Sequence, residues 1–162
     1  MNTILAILFI HWLADFIFQN RKMGLNKGKS IKWLTFHVMV YTIVTGFCWV
    51  IFSPELVAIK WLLIITFTTH WITDFITSKA SGFCYLMMNE AKFLKDDYDA
   101  HLGMKNRYDD EIRAQLIVKR DHQEEREHGW QYWFWAVIGI DQFIHIATLL
   151  ITYEYLIKPI SI

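Results

Sequence analysis

The sequence predicts an all-α protein, a four-helix transmembrane bundle with a cytoplasmic helical insertion between helices 3 and 4. Apolar residues make up 54% and aromatic residues 17% of the 162 positions. They come in long blocks, each long enough to cross about 30 Å of hydrocarbon as a helix. The length fits a single membrane domain covering residues 1–162.

The four predicted spans lie at about residues 2–19, 33–53, 56–77 and 131–157. The first has no basic n-region and no small-residue cleavage site, and it carries His11 and Asp15 within its apolar run. It is therefore predicted to be a retained helix rather than a signal peptide. Ser53-Pro54-Glu55 predicts the turn between the second and third spans.

Residues 78–129 form the predicted polar insertion. Apolar residues recur in it every four positions, at Leu94, Tyr98 and Leu102 and again at Tyr108, Ile112 and Leu116. This spacing predicts a helical hairpin broken near Gly103. The stripe favours internal packing. The alternative is that residues 85–127 contact a cytoplasmic protein partner or a second copy of the chain.

The orientation is predicted from the loops. Residues 20–32 carry five basic residues and no acidic one, so this loop is expected in the cytoplasm, where it suits anionic lipid headgroups. The prediction is a multi-pass protein of the bacterial inner (cytoplasmic) membrane with both termini outside the cytoplasm. A net charge of zero and the lack of a motif for recognising nucleic-acid sequence predict no nucleic-acid partner.

Histidines and aspartates interrupt the predicted spans at related positions. The residues are His11, Asp15, His37, His70, Asp74, Asp141 and His145. Six of them form three pairs spaced four apart, which places both members of a pair on one helix face. In each pair the predicted orientation puts the aspartate nearer the cytoplasm and the histidine deeper. This common layering predicts one shared site.

Two of the pairs belong to an internal repeat. Residues 11–16 read His-Trp-Leu-Ala-Asp-Phe and residues 70–75 read His-Trp-Ile-Thr-Asp-Phe. Both copies lie in helices predicted to run from the outside to the inside. The match suggests two halves related by an axis along the membrane normal.

A buried aspartate in a membrane helix costs roughly 2.5–3.5 kcal/mol on the lenient insertion scale, so three of them need protons, hydrogen bonds or a bound cation. Imidazole and carboxylate groups are good ligands for Zn²⁺, Mn²⁺ or Fe²⁺. The seven residues are more than a single ion needs, which favours one ion with outer partners or two ions. The alternatives are hydrogen bonds that hold the helices together and a proton relay.

Several neighbours are candidates for orienting the ligands. Gln19 follows Asp15 by one turn, Tyr41 follows His37 by one turn, and Gln142 adjoins Asp141. Lys79 lies at the predicted membrane edge.

The motif set resembles an uncharacterised family of small four-helix inner-membrane proteins of bacteria and bacteriophages, a domain of unknown function. The matching motifs are His11-x3-Asp15-Phe16-x2-Gln19, the loop Lys27-Gly28-Lys29-Ser30, His37-x3-Tyr41, His70-x3-Asp74 and Asp141-Gln142-x2-His145. More loosely, the layout is similar to membrane-bound metal-dependent hydrolases. The resemblance implies a membrane location and supports the polar site, and the looser one implies hydrolysis.

The leading hypothesis is a membrane metalloprotein, and if it is an enzyme, a metal-dependent hydrolase of a lipid-like or phosphoester substrate. Asp15, Asp74 and Asp141 are the candidate catalytic carboxylates, since one not needed as a ligand could act as general base. One alternative is a transporter or conduit for a cation or proton. The other is a non-enzymatic scaffold or regulator acting through the insertion.

Overall fold

The computed structural model of the chain describes residues 3–52, 56–104 and 108–157. These residues hold helices and no strand. The helices are α1 (Thr3–Trp12), α2 (Arg21–Asn26), α3 (Ile31–Phe52), α4 (Leu56–Gly103) and α5 (Asp110–Thr152). The all-α prediction is confirmed. The predicted turn at Ser53-Pro54-Glu55 lies outside the described residues.

The helices continue beyond the ends of the predicted spans near residues 78 and 130. α4 continues without a break to Gly103, and α5 begins at Asp110. The physical reason is that an apolar block predicts which part of a helix has apolar surroundings. It does not predict where the backbone hydrogen bonds of that helix end. The predicted insertion has its own helical period, and neither junction contains a proline. Gly103, where the hairpin was predicted to break, is the last residue of α4.

The first span is also shorter than predicted as a regular helix. α1 ends at Trp12, and a π-helical turn covers Leu13–Ile17. The turn ends where the Phe18 N–H donates to the Leu13 carbonyl at 3.1 Å. A second π-helical turn, Tyr153–Ile157, follows α5.

Two helices are long and apolar enough to cross a membrane. They are α3 over Ile31–Val50 and α5 within the range Asp110–Tyr155. Ile4–Ile17 is a shorter apolar helix. Among the described residues, these two candidate spans support the predicted four-span topology only in part.

The chain divides into two compact units. One comprises residues 1–79 and 139–162, and the other residues 80–138. The first unit has an apolar core of Ile7, Ile10, Ala14, Tyr41, Trp49, Leu62 and Leu149. α3 approaches α4 closely in this unit, because a Cβ on Gly46 would lie only 2.5 Å from a methyl carbon of Leu63. Small residues at such crossings are typical of packed membrane helices.

The second unit is a helical hairpin whose arms are joined by ion pairs. Lys95 Nζ lies 2.9 Å from Glu127 Oε2, and Arg120 Nε lies 3.1 Å from Asp99 Oδ1. The second arm begins with an N-cap, since the Asp109 carboxylate accepts from the Ile112 N–H at 2.9 Å. Residues of the predicted apolar stripe, such as Leu94 and Tyr98, are half-buried within this hairpin.

A candidate metal centre

Four helical segments of the first unit bring all seven predicted histidines and aspartates into one buried cluster. His11 and Asp15 come from α1 and its π-helical turn, His37 from α3, His70 and Asp74 from α4, and Asp141 and His145 from α5. Each is at most 7% exposed. Buried polar side chains of this kind need hydrogen-bond or ionic partners.

His37 lies at the centre of one group of contacts. Its Nε2 atom is 3.1 Å from Asp15 Oδ1, 3.2 Å from Asp74 Oδ2 and 3.3 Å from His70 Nε2. His70 Nε2 is in turn 3.6 Å from Asp74 Oδ2. Four potential ligand atoms from three helices therefore converge on one small volume.

His145 extends the cluster on the other side of Asp74. Its Nε2 atom lies 3.8 Å from Asp74 Oδ1, and its Nδ1 atom lies 3.8 Å from Asp141 Oδ2. Both distances are too long for hydrogen bonds. Within the described part of the chain, neither ring nitrogen of His145 nor Asp74 Oδ1 has a hydrogen-bond partner. These atoms are buried, polar and available to a ligand.

His11 is bound differently, because both of its ring nitrogens have hydrogen-bond partners. Nε2 lies 2.9 Å from Gln142 Oε1, and Nδ1 lies 2.8 Å from the Tyr41 hydroxyl. Gln142 donates from its Nε2 to Asp15 Oδ2 at 2.9 Å and to Asp141 Oδ2 at 3.1 Å. Because ionised carboxylates only accept, this fixes the amide orientation, so a neutral His11 donates from Nε2 to Gln142 and accepts at Nδ1 from the Tyr41 hydroxyl.

Aromatic stacking holds the imidazoles of α4 and α5 in place. The His70 ring stacks between Tyr41 and His145, with centroid separations of 3.8 Å on each side. Tyr41 therefore orients two histidines, one through its hydroxyl and one through its ring face. Rings held this way lose little freedom when a ligand binds.

Two residues outside the predicted set of site residues reach the cluster, Lys27 and Thr77. The Lys27 ammonium lies 3.1 Å from Asp74 Oδ2, and its side chain is 18% exposed. Burial lowers the pKa of Lys27, but Asp74, Asp15 and Asp141 raise it by more, so the net shift is upward and the ammonium stays charged. Thr77 donates to Asp141 Oδ1. Thr77 follows Asp74 by three residues on the same helix face, a spacing that could have revealed it.

Two predicted neighbours, Gln19 and Lys79, have other contacts. The Gln19 amide is close to Gly24, where an added Cβ would come within 3.2 Å of it. The Lys79 ammonium lies 3.8 Å from the ring centroid of Phe75. In the described part of the chain neither Gln19 nor Lys79 has a hydrogen bond to the seven cluster residues. Sequence spacing along the helix ends could not show which way these side chains turn.

Three groups within the cluster could hold a metal ion. They are His11, Asp15 and His145; Asp15, His37 and His70; and His70, Asp74 and His145. In each group one ligand atom per residue lies within 4.8 Å of the others. The donor set of imidazole and carboxylate suits zinc, manganese or iron.

Comparison with known proteins identifies a family for this chain. The profile of a family described as proteins of unknown function (DUF3307) matches residues 3–161. Comparisons with curated proteins and with solved structures found no match. The match covers both units and every residue of the buried cluster, and the chain accordingly belongs to the DUF3307 family of proteins of unknown function.

Proposed function

We propose that this protein is a membrane-embedded metalloprotein that hydrolyses a phosphoester or a similar lipid-like substrate. The observation that carries the proposal is the spacing of four ligand atoms, Asp15 Oδ1, His37 Nε2, His70 Nε2 and Asp74 Oδ2. The four measured separations among them run from 3.1 to 3.6 Å. Bonds of about 2.0–2.1 Å to a tetrahedral ion put neighbouring ligand atoms about 3.3 Å apart.

Hydrogen bonds alone account for this spacing poorly. His37 Nε2 faces two carboxylates and a second imidazole, yet one ring nitrogen carries at most one proton. A cation at the middle of the four atoms satisfies all of them at once. It also offsets the charge of Asp15 and Asp74, whose burial is otherwise costly.

Asp74 supports a second ion beside the first. Its Oδ2 atom faces His37, and its Oδ1 atom faces His145 at 3.8 Å. A carboxylate with one oxygen turned to each of two sites is the usual bridge in paired metal centres, where the ions lie about 3.5–4 Å apart. The unpartnered nitrogens of His145 would be ligands of this second ion.

A divalent ion in this site would polarise a phosphoryl or ester oxygen and lower the pKa of a bound water. Asp141 is the carboxylate best placed to accept the proton of that water. It lies 3.8 Å from His145 and is held by Thr77 and Gln142 rather than by a second imidazole. We therefore assign Asp141 as the general base, and His11, Tyr41 and Gln142 as groups that orient the cluster.

The distribution of polar and apolar side chains supports a membrane location. In the first unit the buried polar residues include all seven cluster members, while large apolar side chains point outward. Phe9, Ile43, Phe47, Phe143 and Ile151 are each between 58% and 72% exposed. Large apolar side chains on the outside of a unit that buries its polar cluster suit a lipid environment. We propose four spans in a bacterial inner membrane, with the 20–32 loop and Lys27 on the cytoplasmic side.

The test is to purify the protein in mild detergent without chelator and to measure bound metal by mass spectrometry. We expect one or two equivalents of a transition metal, lost in His70→Ala. Asp141→Ala should keep the metal and lose hydrolysis, because Asp141 is the proposed general base. The loaded protein should hydrolyse a phosphoester substrate, and chelator should stop it. A well-folded wild type that takes up no metal after supplementation would overturn the proposal.

A conduit for protons or cations is the second candidate, and buried hydroxyls favour it. Thr42 and Thr66 are at most 8% exposed, and their hydroxyl oxygens lack hydrogen-bond partners among the described residues. Thr66 borders a void of about 10 Å³ beside Tyr41, His70 and His145. One water fits a void of that size. A proton flux into liposomes that Thr66→Val abolishes would favour this candidate over hydrolysis.

A further inference from the structure

Lys27 is a charged residue with access both to the buried cluster and to the outside. Its ammonium lies 3.1 Å from Asp74 Oδ2, the carboxylate oxygen that also faces His37 and His70. Asp74 is 1% exposed, whereas the Lys27 side chain is 18% exposed. Lys27 is therefore a partly exposed cation in direct contact with a buried carboxylate of the cluster.

The turn that carries Lys27 is held tightly. The Lys27 N–H donates to the Met23 carbonyl at 2.9 Å, and Met23 is only 1% exposed. At the next position, a Cβ on Gly28 would lie 3.0 Å from the Ser78 carbonyl oxygen. Only glycine lets the turn approach α4 so closely. This approach brings Lys27 to Asp74, one turn before Ser78.

The other basic residues near this turn are different. Arg21, Lys22, Lys29 and Lys32 are exposed. Within the part of the chain that the structure describes, none of the four pairs with a cluster carboxylate. Lys29 provides a matched control, because it lies two residues from Lys27 in the same turn.

The charges of the cluster indicate what Lys27 does once metal is present. With neutral imidazoles, Asp15, Asp74 and Asp141 together with Lys27 leave two negative charges, which one divalent ion balances. A second ion makes the site positive. A metal ion also competes with the ammonium for Asp74 Oδ2, because both are cations. An anion bound between metal and ammonium removes this repulsion.

We propose that Lys27 binds the phosphate group of the substrate, so that the phosphate bridges the Lys27 ammonium and the metal ion. The inference rests on the proposed metal centre and goes further by naming the ligand group and the residue that selects it. Phosphate fits because it carries up to two charges and offers separate oxygens to the metal and to the ammonium. Lysine is a common phosphate ligand as a point charge. Both a lipid headgroup and free phosphate present this group.

The experiment uses the full chain loaded with Mn²⁺ and inorganic phosphate as the probe. Manganese shortens the ³¹P relaxation time of any phosphate bound next to it. We expect strong relaxation enhancement with wild type and with Lys29→Met. With Lys27→Met the enhancement should fall at least tenfold, while bound manganese stays at the wild-type amount.

The outcomes separate the two proposals. A wild type that binds no manganese overturns the metal centre and this inference with it. Full manganese binding with undiminished relaxation enhancement in Lys27→Met overturns only the role of Lys27. If Lys27→Met does not fold, the wild-type protein is tested instead. In loaded protein, phosphate should slow reductive methylation of Lys27 and leave Lys29 unchanged, and equal rates at Lys27 with and without phosphate contradict the inference.

The source of the phosphate group is found by repeating the methylation assay in nanodiscs. Protection of Lys27 by phosphatidic acid in a phosphatidylcholine background, without protection by inorganic phosphate, identifies a lipid headgroup. Protection by inorganic phosphate in pure phosphatidylcholine identifies a soluble phosphate compound. Protection by neither overturns the proposal.

Discussion

The two copies of the motif His-Trp-x-x-Asp-Phe have the same side chains at the same spacing, yet their surroundings differ. In the first copy, His11 and Asp15 are joined through the Gln142 amide. In the second, His70 Nε2 lies 3.6 Å from Asp74 Oδ2 without a mediating group. Among the described residues, the first copy leaves one buried atom, Asp15 Oδ1, without a hydrogen-bond partner, whereas the second leaves two, His70 Nδ1 and Asp74 Oδ1.

Backbone geometry contributes to this difference. Asp15 lies in the π-helical turn Leu13–Ile17, whereas Asp74 lies within the regular helix α4. A π-helical turn holds an extra residue, so it moves Asp15 around the helix relative to His11. Asp15 is thereby turned towards His37, from which it lies 3.1 Å. Such turns are frequent at functional sites.

The comparison suggests that the two copies of the motif have different roles. The second copy supplies ligands from both of its residues, and the first supplies Asp15 while His11 orients the cluster. A repeat can therefore retain its residues and lose its symmetry of function. The following substitutions test this division in matched pairs.

The largest effect is expected at Asp74, which faces Lys27, His37, His70 and His145. Asp74→Asn should weaken metal binding by more than the roughly 10–100-fold that loss of an outer partner causes. Asp15→Asn should weaken it less, because among the described residues Asp15 has one imidazole, that of His37, within 4.0 Å of its carboxylate. Chelator competition on the purified variants measures both. Equal losses would show that the two aspartates have equal roles.

The two histidines of the repeat form the next pair. His70→Gln removes a proposed ligand and should abolish binding of the first ion. His11→Gln removes an orienting group, and affinity should fall by roughly 10–100-fold without loss of stoichiometry. Metal content at saturating ion distinguishes these results. A complete loss in His11→Gln would make His11 a ligand and contradict the division.

Gln142 is the group that satisfies the first copy. Gln142→Met leaves His11, Asp15 and Asp141 each without one hydrogen-bond partner, and each buried unsatisfied group costs about 1–3 kcal/mol. We expect a lowered unfolding temperature in detergent. Gln131→Met, at an exposed position of α5, is the control and should change the free energy of unfolding by less than about 0.5 kcal/mol. Matching stabilities in the two variants would show that the Gln142 bridge is dispensable.

The smallest effect is expected at Gly28. Gly28→Ala places a Cβ 3.0 Å from the Ser78 carbonyl, and the strain should cost about 1–3 kcal/mol and loosen Lys27. Gly82→Ala lies within α4 with no atom inside 4 Å of the new Cβ, so it should stabilise the helix by up to about 1 kcal/mol. Thermal unfolding of both variants measures these effects. Stabilisation by Gly28→Ala would contradict the close approach of the turn to the Ser78 carbonyl.

Much of the cluster could be predicted from the sequence, because polar residues in apolar helices are stable only where they contact other polar groups. The spacing of four within three pairs put each pair on one helix face, and their burial cost predicted that they meet. The structure brings all seven together. Helical period likewise located the break of the hairpin at Gly103.

Other features needed three-dimensional information. The contact of Lys27 with Asp74 depends on how a short turn packs on α4, which no spacing along the chain encodes. The π-helical turn at Leu13–Ile17 has no sequence signal that separates it from a regular helix. The sequence also did not predict that α4 continues without a break from the predicted span into the polar insertion, because a change from apolar to polar residues marks a change of surroundings and not the end of a helix.

X-ray absorption of the zinc-loaded protein tests the central claim most directly, since it reports the ligands of the ion itself. The account predicts nitrogen and oxygen ligands at about 2.0–2.2 Å, with imidazole scattering from at least two histidines. His70→Gln should remove one imidazole, and His11→Gln should remove none. A shell made only of oxygen, or a spectrum unchanged by His70→Gln, would contradict the claim that His37 and His70 hold the metal.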